Sequence, residues 1–432
     1  MSEKIEISFD DEESISKKKK EKIEIDFDEN KEIEIDKHTL EKESELIANN
    51  KKDINKEILN STVDSFFHGN PALTCYYDSG LKFPEGIEKG FRRRYSVELK
   101  DTFLNSILEN NKFIVLTSSS GSVYFVDRFS GEIQGKYFFE NAIFEKTGLV
   151  FKNTIYVNSL SSIYKFANDL IGSDAAGQEI YRTSSNYYIW SNLSLCKENI
   201  VFIEYDALSK KANLKVIDSE SSINIFDFQF EVNEFISEQI IIAGSLVFIA
   251  YDNKLIKINL EDHTSNYIPL FFKMNNDCRI FYLKNNLYIT NPKNELYYVD
   301  LKSNSIDFKY TGIKSNYINS LAGFKDNIFI GTVYGWKLYK SHGMLLYSYD
   351  DVDENKIEAV SKNLLIISKT NKIVCHNLNK FQEAEGFALK SQDSDVDSEV
   401  IESVIISFND FFVLAKNGKL EAFTNDKLNI HI

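Results

Sequence analysis

Proline is nearly absent from the 432 residues: Pro71, Pro84, Pro269 and Pro292 are the only four, so long proline-rich linkers are excluded. Cysteine is equally scarce, at positions 75, 196, 278 and 375, with no CxxC pair and no Cys/His cluster at zinc spacing. Cys375 and His376 are adjacent, but neighbours along a strand point to opposite faces and would not share a ligand. The thiols read as buried or half-buried groups in a reducing compartment. Long apolar runs are also missing. The longest, Ile240 to Tyr251, is too short to span a bilayer and is broken by Gly244-Ser245. No basic start followed by an apolar stretch marks the N-terminus, so a secretory signal is not expected, and the reading is a soluble, cytoplasmic protein. Positive charge is in deficit, with a formal net charge of −15, which disfavours a phosphate backbone as partner. The basic cluster Arg92-Arg93-Arg94 reads as a solvated strand edge rather than a phosphate site.

What the chain does have is apolar and aromatic mass: 43% hydrophobic residues, with 33 Phe and 23 Tyr, enough for a large core. Acidic charge concentrates at the N-terminus, where residues 1–60 carry 19 Asp and Glu against 12 Lys. Such a segment buries too little apolar surface to offset chain entropy, so residues 1–64 are expected to form a disordered acidic tail. Residues 65–100 read as a lead-in segment with a closing strand, and 101–432 as the folded body. Between Thr39 and Phe67 the apolar spacing allows an intermittent helix.

Inside the tail, Glu3-Lys4-Ile5-Glu6-Ile7-Ser8-Phe9-Asp10 recurs as Glu21-Lys22-Ile23-Glu24-Ile25-Asp26-Phe27-Asp28, with a shorter copy carrying Ile33 and Ile35. Strict alternation places Ile5, Ile7 and Phe9, and again Ile23, Ile25 and Phe27, on one side of an extended strand. A peptide of this kind can add to a partner's exposed sheet edge, so these eight residues are the candidate partner-binding set.

The body is repetitive. A short apolar strand following a turn residue recurs eight times, starting at Phe113, Ile155, Ile200, Leu246, Leu287, Ile328, Leu364 and Phe411. The mean interval is about 43 residues, the length of a four-stranded propeller blade. Within repeats the same grammar returns. Repeat one reads as strands at Asn105–Glu109, Phe113–Thr117, Ser122–Asp127 and Glu132–Phe139. Repeat five reads Arg279–Leu283, Leu287–Thr290, Glu295–Leu301 and Ser305–Tyr310. The last reads Glu402–Ser407, Phe411–Ala415, Lys419–Thr424 and Leu428–Ile432. Turn residues such as Ser119-Ser120-Gly121 and Asn417-Gly418 separate them. The expectation is an all-β, eight-bladed propeller. Seven blades is the alternative, because the repeats at Ile155 and Ile328 are irregular. Closure should come from Tyr95–Leu99 pairing with the last blade near Leu428–Ile432.

The run Ser120-Gly121-Ser122-Val123-Tyr124-Phe125-Val126-Asp127-Arg128-Phe129-Ser130-Gly131-Glu132 resembles the repeat of quinoprotein-like (PQQ-type) propellers: a Gly turn, a strand ending in Asp, then Ser-Gly-Glu. Leu296 to Asn304 and Leu214 to Ser219 echo it. The tryptophan usual in that family's outer strand is missing. Gln134 to Tyr137 takes its place, and Trp190 and Trp336, the only two tryptophans, sit elsewhere.

Enzymes of that family hold a quinone and a calcium ion in the central funnel with acidic residues and adjacent cysteines, and this chain has no vicinal Cys pair. The acidic stretch Asp393, Asp395, Asp397, Glu399 lacks the Gly and the closing Glu of an EF-hand loop, with Ser398 and Val404 in those places. It reads as a solvated loop between blades. The six histidines are dispersed, and His342 reads as a surface turn residue. No catalytic, cofactor or metal site is therefore expected. The functional expectation is a non-catalytic protein–protein interaction scaffold: a propeller platform with short docking motifs in its tail, acting as a subunit of a larger assembly. The alternatives are a propeller assembly factor resembling the outer-membrane protein assembly component, and a quinone-dependent enzyme.

Overall fold

The computed structural model describes residues 64–65, 70, 73, 77 and 91–424, apart from 174–176, 303–304, 311–316, 352–353, 362–363, 370–371, 379–381, 384–386, 389–399 and 409. Eight antiparallel sheets of four or five strands succeed one another along the chain, each a meander from an inner to an outer strand. They form one eight-bladed propeller. Blade one is Leu108–Glu109, Phe113–Thr117, Ser122–Asp127 and Ile133–Phe138. Blade five is Ile280–Leu283, Asn286–Thr290, Leu296–Asp300 and Ser305–Tyr310. All eight recurring apolar strands are the second strand of a blade, from Phe113–Thr117 round to Asp410–Ala415. The repeats at Ile155 and Ile328 form ordinary four-stranded blades, two and six. Irregularity falls on blade three, whose inner strand is split into Tyr188–Ile189 and Ser194–Cys196, and on blade seven, whose outer strand is split. Among the described residues, helix is confined to one 3-10 turn, Asn168–Leu170, and no helix is long and apolar enough to cross a membrane.

Burial explains the composition. A blade has two faces, both covered by its neighbours, so its second strand is mostly apolar: Phe113–Thr117 is buried at every position. Outer strands are half-covered and alternate, as in Leu345–Asp350. The core is accordingly a ring of apolar layers between blades. Phe113 and Phe125 of blade one meet Val150 and Phe166 of blade two in one such layer. Each buried Phe contributes roughly 1.5–3 kcal/mol, and no blade can obtain this alone.

The motif behind the PQQ-type resemblance has a local cause. The Asp127 Oδ1 accepts from the N–H groups of Phe129 and Ser130 and from the Ser130 hydroxyl, closing the turn to the outer strand. Asp218 does the same for Glu220 and Ser221. Gly131 follows with φ +80°, where an added Cβ would lie 2.7 Å from the Tyr95 ring.

Closure corrects one expectation. The N-terminal strand Arg92–Glu98 does become the outermost strand of blade eight. It pairs with Lys419–Thr424, and 428–432 lies outside the described residues. Lys419–Thr424 bonds Asp410–Ala415 on one edge and Arg92–Glu98 on the other, so the outer position assigned to Leu428–Ile432 is already taken. A bulge at Arg94 interrupts the register between Arg93 and Tyr95. The arginine cluster is therefore not simply a solvated edge. Arg93 donates to Glu421 at 2.9 Å, and Arg94 reaches the buried Asp410 at 2.9 Å. The intermittent helix that the spacing allows between Thr39 and Phe67 lies almost wholly outside the described residues, and Ser65 forms an isolated antiparallel bridge with Val150.

Candidate functional site: the axial cavity

All eight inner strands line the propeller axis. Around their N-terminal ends the side chains enclose a cavity of about 480 Å³ to which every blade contributes. Part of this lining is structural. The Ser106 N–H donates to Thr147 Oγ1 at 3.0 Å and the Thr147 N–H to Asn192 Oδ1 at 2.7 Å, linking blades one, two and three. Ile107 donates to Ser403 Oγ of blade eight, and Ile357 to Ser320 Oγ, joining blades seven and six. Short polar side chains at these positions satisfy backbone N–H groups that the converging strands leave without ladder partners.

The described residues of the lead-in segment that make backbone contacts do so at the opposite ends of the inner strands. Ser65 exchanges two backbone bonds with Val150, at 3.0 and 2.8 Å, and its hydroxyl accepts from the Glu109 N–H. The Tyr77 N–H donates to the Val360 carbonyl at 2.9 Å. Leu73 is buried in the apolar layer of blades four and five. Leu73 and Tyr77 both line the cavity.

Charged groups on the wall differ in how they are satisfied. Glu238 meets Lys146 Nζ at 2.5 Å, and Glu358 meets Lys356 Nζ at 2.9 Å while accepting from the Ser368 hydroxyl at 2.6 Å. Arg279 donates through Nη1 to the Asn276 carbonyl at 2.8 Å and through Nε to the Asn319 carbonyl. Glu402, at the start of the inner region of blade eight, is half-buried and has no hydrogen-bonding or ion-pairing partner among the described residues. Burial pushes its carboxyl above the usual range, against the pull of Lys356 and Lys416.

The sequence-derived candidates Ile5, Ile7, Phe9, Ile23, Ile25, Phe27, Ile33 and Ile35 lie outside the described residues, as do Asp393, Asp395, Asp397 and Glu399. Cys375 and His376 point to opposite faces of the strand Lys372–Asn377. Cys375 enters the layer between blades seven and eight, while His376 lies 5.4 Å from the Trp336 ring and 5.1 Å from Tyr349. His342 sits exposed in a turn. Trp336 lies on the third strand of blade six, and Trp190 precedes the second half of blade three's inner strand, so neither occupies an outer strand. Among the described residues, no three His, Cys, Asp or Glu side chains converge to hold a metal ion. The cavity residues Glu402, Arg279, Leu73 and Tyr77 were not apparent as a site from sequence. The available signal was a charge at the start of an inner strand where repeats one and six carry Asn105 and Asn319.

No known protein family matches the chain, and no curated protein sequence matches it. Solved structures do. BamB from Moraxella catarrhalis is similar at 11% identity with TM-score 0.57, over 78% of this chain and 100% of that one. Quinohemoprotein alcohol dehydrogenase from Comamonas testosteroni is similar at 8% identity with TM-score 0.60, over 86% of this chain and 82% of that one. The computationally designed protein Ika8 is similar at 13% identity with TM-score 0.59, over 76% and 97%. Identities this low speak for the fold alone: the chain is an eight-bladed β-propeller whose structural neighbours include PQQ-type propellers.

Proposed function

We propose that the protein is a non-catalytic protein–protein interaction scaffold of the cytoplasm, a propeller platform whose tail carries short docking motifs within a larger assembly. The observation that carries this reading is one apolar face. Loops that lead into inner strands, and turns between second and third strands, emerge at the end of the propeller where the cavity lies. Those loops display Leu208 at 92% exposure and Phe271 at 82%, with Tyr334, Val400, Ile143 and Tyr317 also exposed. Large apolar side chains exposed on the loops of a stiff ring are what a protein interface uses. The tail motifs add a second element, since repeated short strands on one chain raise effective concentration at a multivalent partner.

The test is co-purification from cytoplasm with the full chain, with a Leu208→Ser/Phe271→Ser variant, and with Ile5, Ile7, Ile23 and Ile25 all changed to Ser. The face variant should lose partners held by the propeller, and the tail variant should lose most of those held by the motifs. Recovery of the same partners in the same amounts from all three proteins would overturn the scaffold reading.

A further inference from the structure

We propose that the axial cavity is a binding site for an organic cation on an alkyl stem, with the Glu402 carboxylate as its counter-ion. This deepens the scaffold reading, on which it rests only for the source of the cation. Several observations converge. A volume of about 480 Å³ lies within the range of small-ligand sites. Of the wall carboxylates, Glu238 and Glu358 are already neutralised by Lys146 and Lys356, and Glu145 is exposed to solvent. Glu402 is half-buried and makes no hydrogen bond or ion pair among the described residues, with only the longer-range pull of Lys356 and Lys416 on it, an arrangement that costs free energy until a cation meets it. Tyr77 packs against the apolar layers on both sides of blade eight, the blade that carries Glu402, and its ring belongs to the same cavity. A carboxylate and an aromatic ring in one cavity suit an ammonium. Val404, Leu104 and Leu73 give the wall apolar surface for the stem. Because no cluster of three ligating side chains forms among the described residues, the donor set suits a monovalent organic cation better than a divalent metal ion.

The cation can come from a lysine side chain that a partner inserts at the apolar face, or from a free diamine. Calorimetric titration of the full chain separates these, using cadaverine and the peptide acetyl-Gly-Lys-Gly-amide. The neutral probes are 1-pentanol and the same peptide with norleucine in place of lysine. At least one cationic probe should bind, and its neutral counterpart at least about tenfold more weakly. Preference for the peptide identifies a protein source, and preference for cadaverine a small-molecule source. Either supports the site. Glu402→Gln should weaken the cation at least about tenfold, whereas Glu98→Gln, on the exposed outer strand, should leave it unchanged. Tyr77→Phe should retain binding and Tyr77→Leu reduce it several-fold, with circular dichroism reporting that each variant is folded. Absence of binding by both cations, equal binding of the neutral probes, or full affinity in a folded Glu402→Gln protein would overturn the proposal. None of these results bears on partner capture by the tail, so the scaffold reading stands or falls separately.

Discussion

Arg94 and Asp410 are 316 residues apart, yet the Arg94 guanidinium donates to the Asp410 carboxylate at 2.9 Å across the third strand of blade eight. The bulge that takes Arg94 out of register is what turns its side chain inward. Asp410 is almost wholly buried, so removing the arginine takes a counter-ion from a buried carboxylate. Arg94→Ala should cost about 3 kcal/mol in urea unfolding. The double change Arg94→Met/Asp410→Leu should restore most of that loss. An undiminished denaturation midpoint in the single variant would show that this pair does not hold the seam.

Deleting residues 92–99 tests closure more severely. Without that strand the Lys419–Thr424 edge of blade eight is exposed and the two chain ends separate. The melting temperature should fall sharply, and an unchanged melting curve would contradict closure by this strand.

The same seam contains a second buried cation. Arg128 is wholly buried and donates to the Asn110 carbonyl at 2.7 Å, Glu109 at 3.2 Å and Ser407 Oγ at 2.6 Å, with its guanidinium 4.9 Å from the Phe408 ring. Arg128→Met should destabilise by about 3–5 kcal/mol, because it strands the Glu109 carboxylate. Adding Glu109→Gln should recover part of this, measured as non-additivity in a double-mutant cycle. Simple additivity would show that the two groups are not coupled.

Glu402 predicts a pH dependence with a definite sign. A carboxyl raised by burial holds its proton more firmly in the folded chain than in the unfolded one. Its contribution is complete below the ordinary carboxylate range and is lost as pH rises through the raised value. Glu402→Gln should therefore melt higher than the parent at about pH 8, and the two should converge near about pH 4. A constant gap across that range would assign the effect to something other than this ionisation.

Gly335 sits at φ +106° in the turn that opens the third strand of blade six, and a Cβ there would stand 1.9 Å from the Tyr349 carbonyl oxygen. Gly335→Ala should cost at least about 2 kcal/mol, read from denaturant unfolding. Gly244, with φ +65° and nothing within 4 Å of an added Cβ, should tolerate alanine with a smaller loss from backbone strain alone.

Strand content, blade count and the turn chemistry were determined by the sequence itself, because each rests on neighbours a few residues apart. The unbroken apolar runs within Phe113–Thr117 and Ser122–Asp127, the Asp127 and Asp218 turns, and the spacing of the eight second strands are all local signals. Closure was legible only in part. That Tyr95–Glu98 belongs to the last blade follows from its place before the first repeat. Its partner, Lys419–Thr424, was decided by which edge the folded ring leaves open. Three things were left wholly to tertiary structure: the inward turn of Arg94, the placement of Ser65, Leu73 and Tyr77 against the blades, and the partial burial of Glu402 on the cavity wall. Each depends on groups hundreds of residues apart meeting at one axis or one seam. Charge state, pairing and burial at such points are properties of the converged ring, and no short window of sequence carries them.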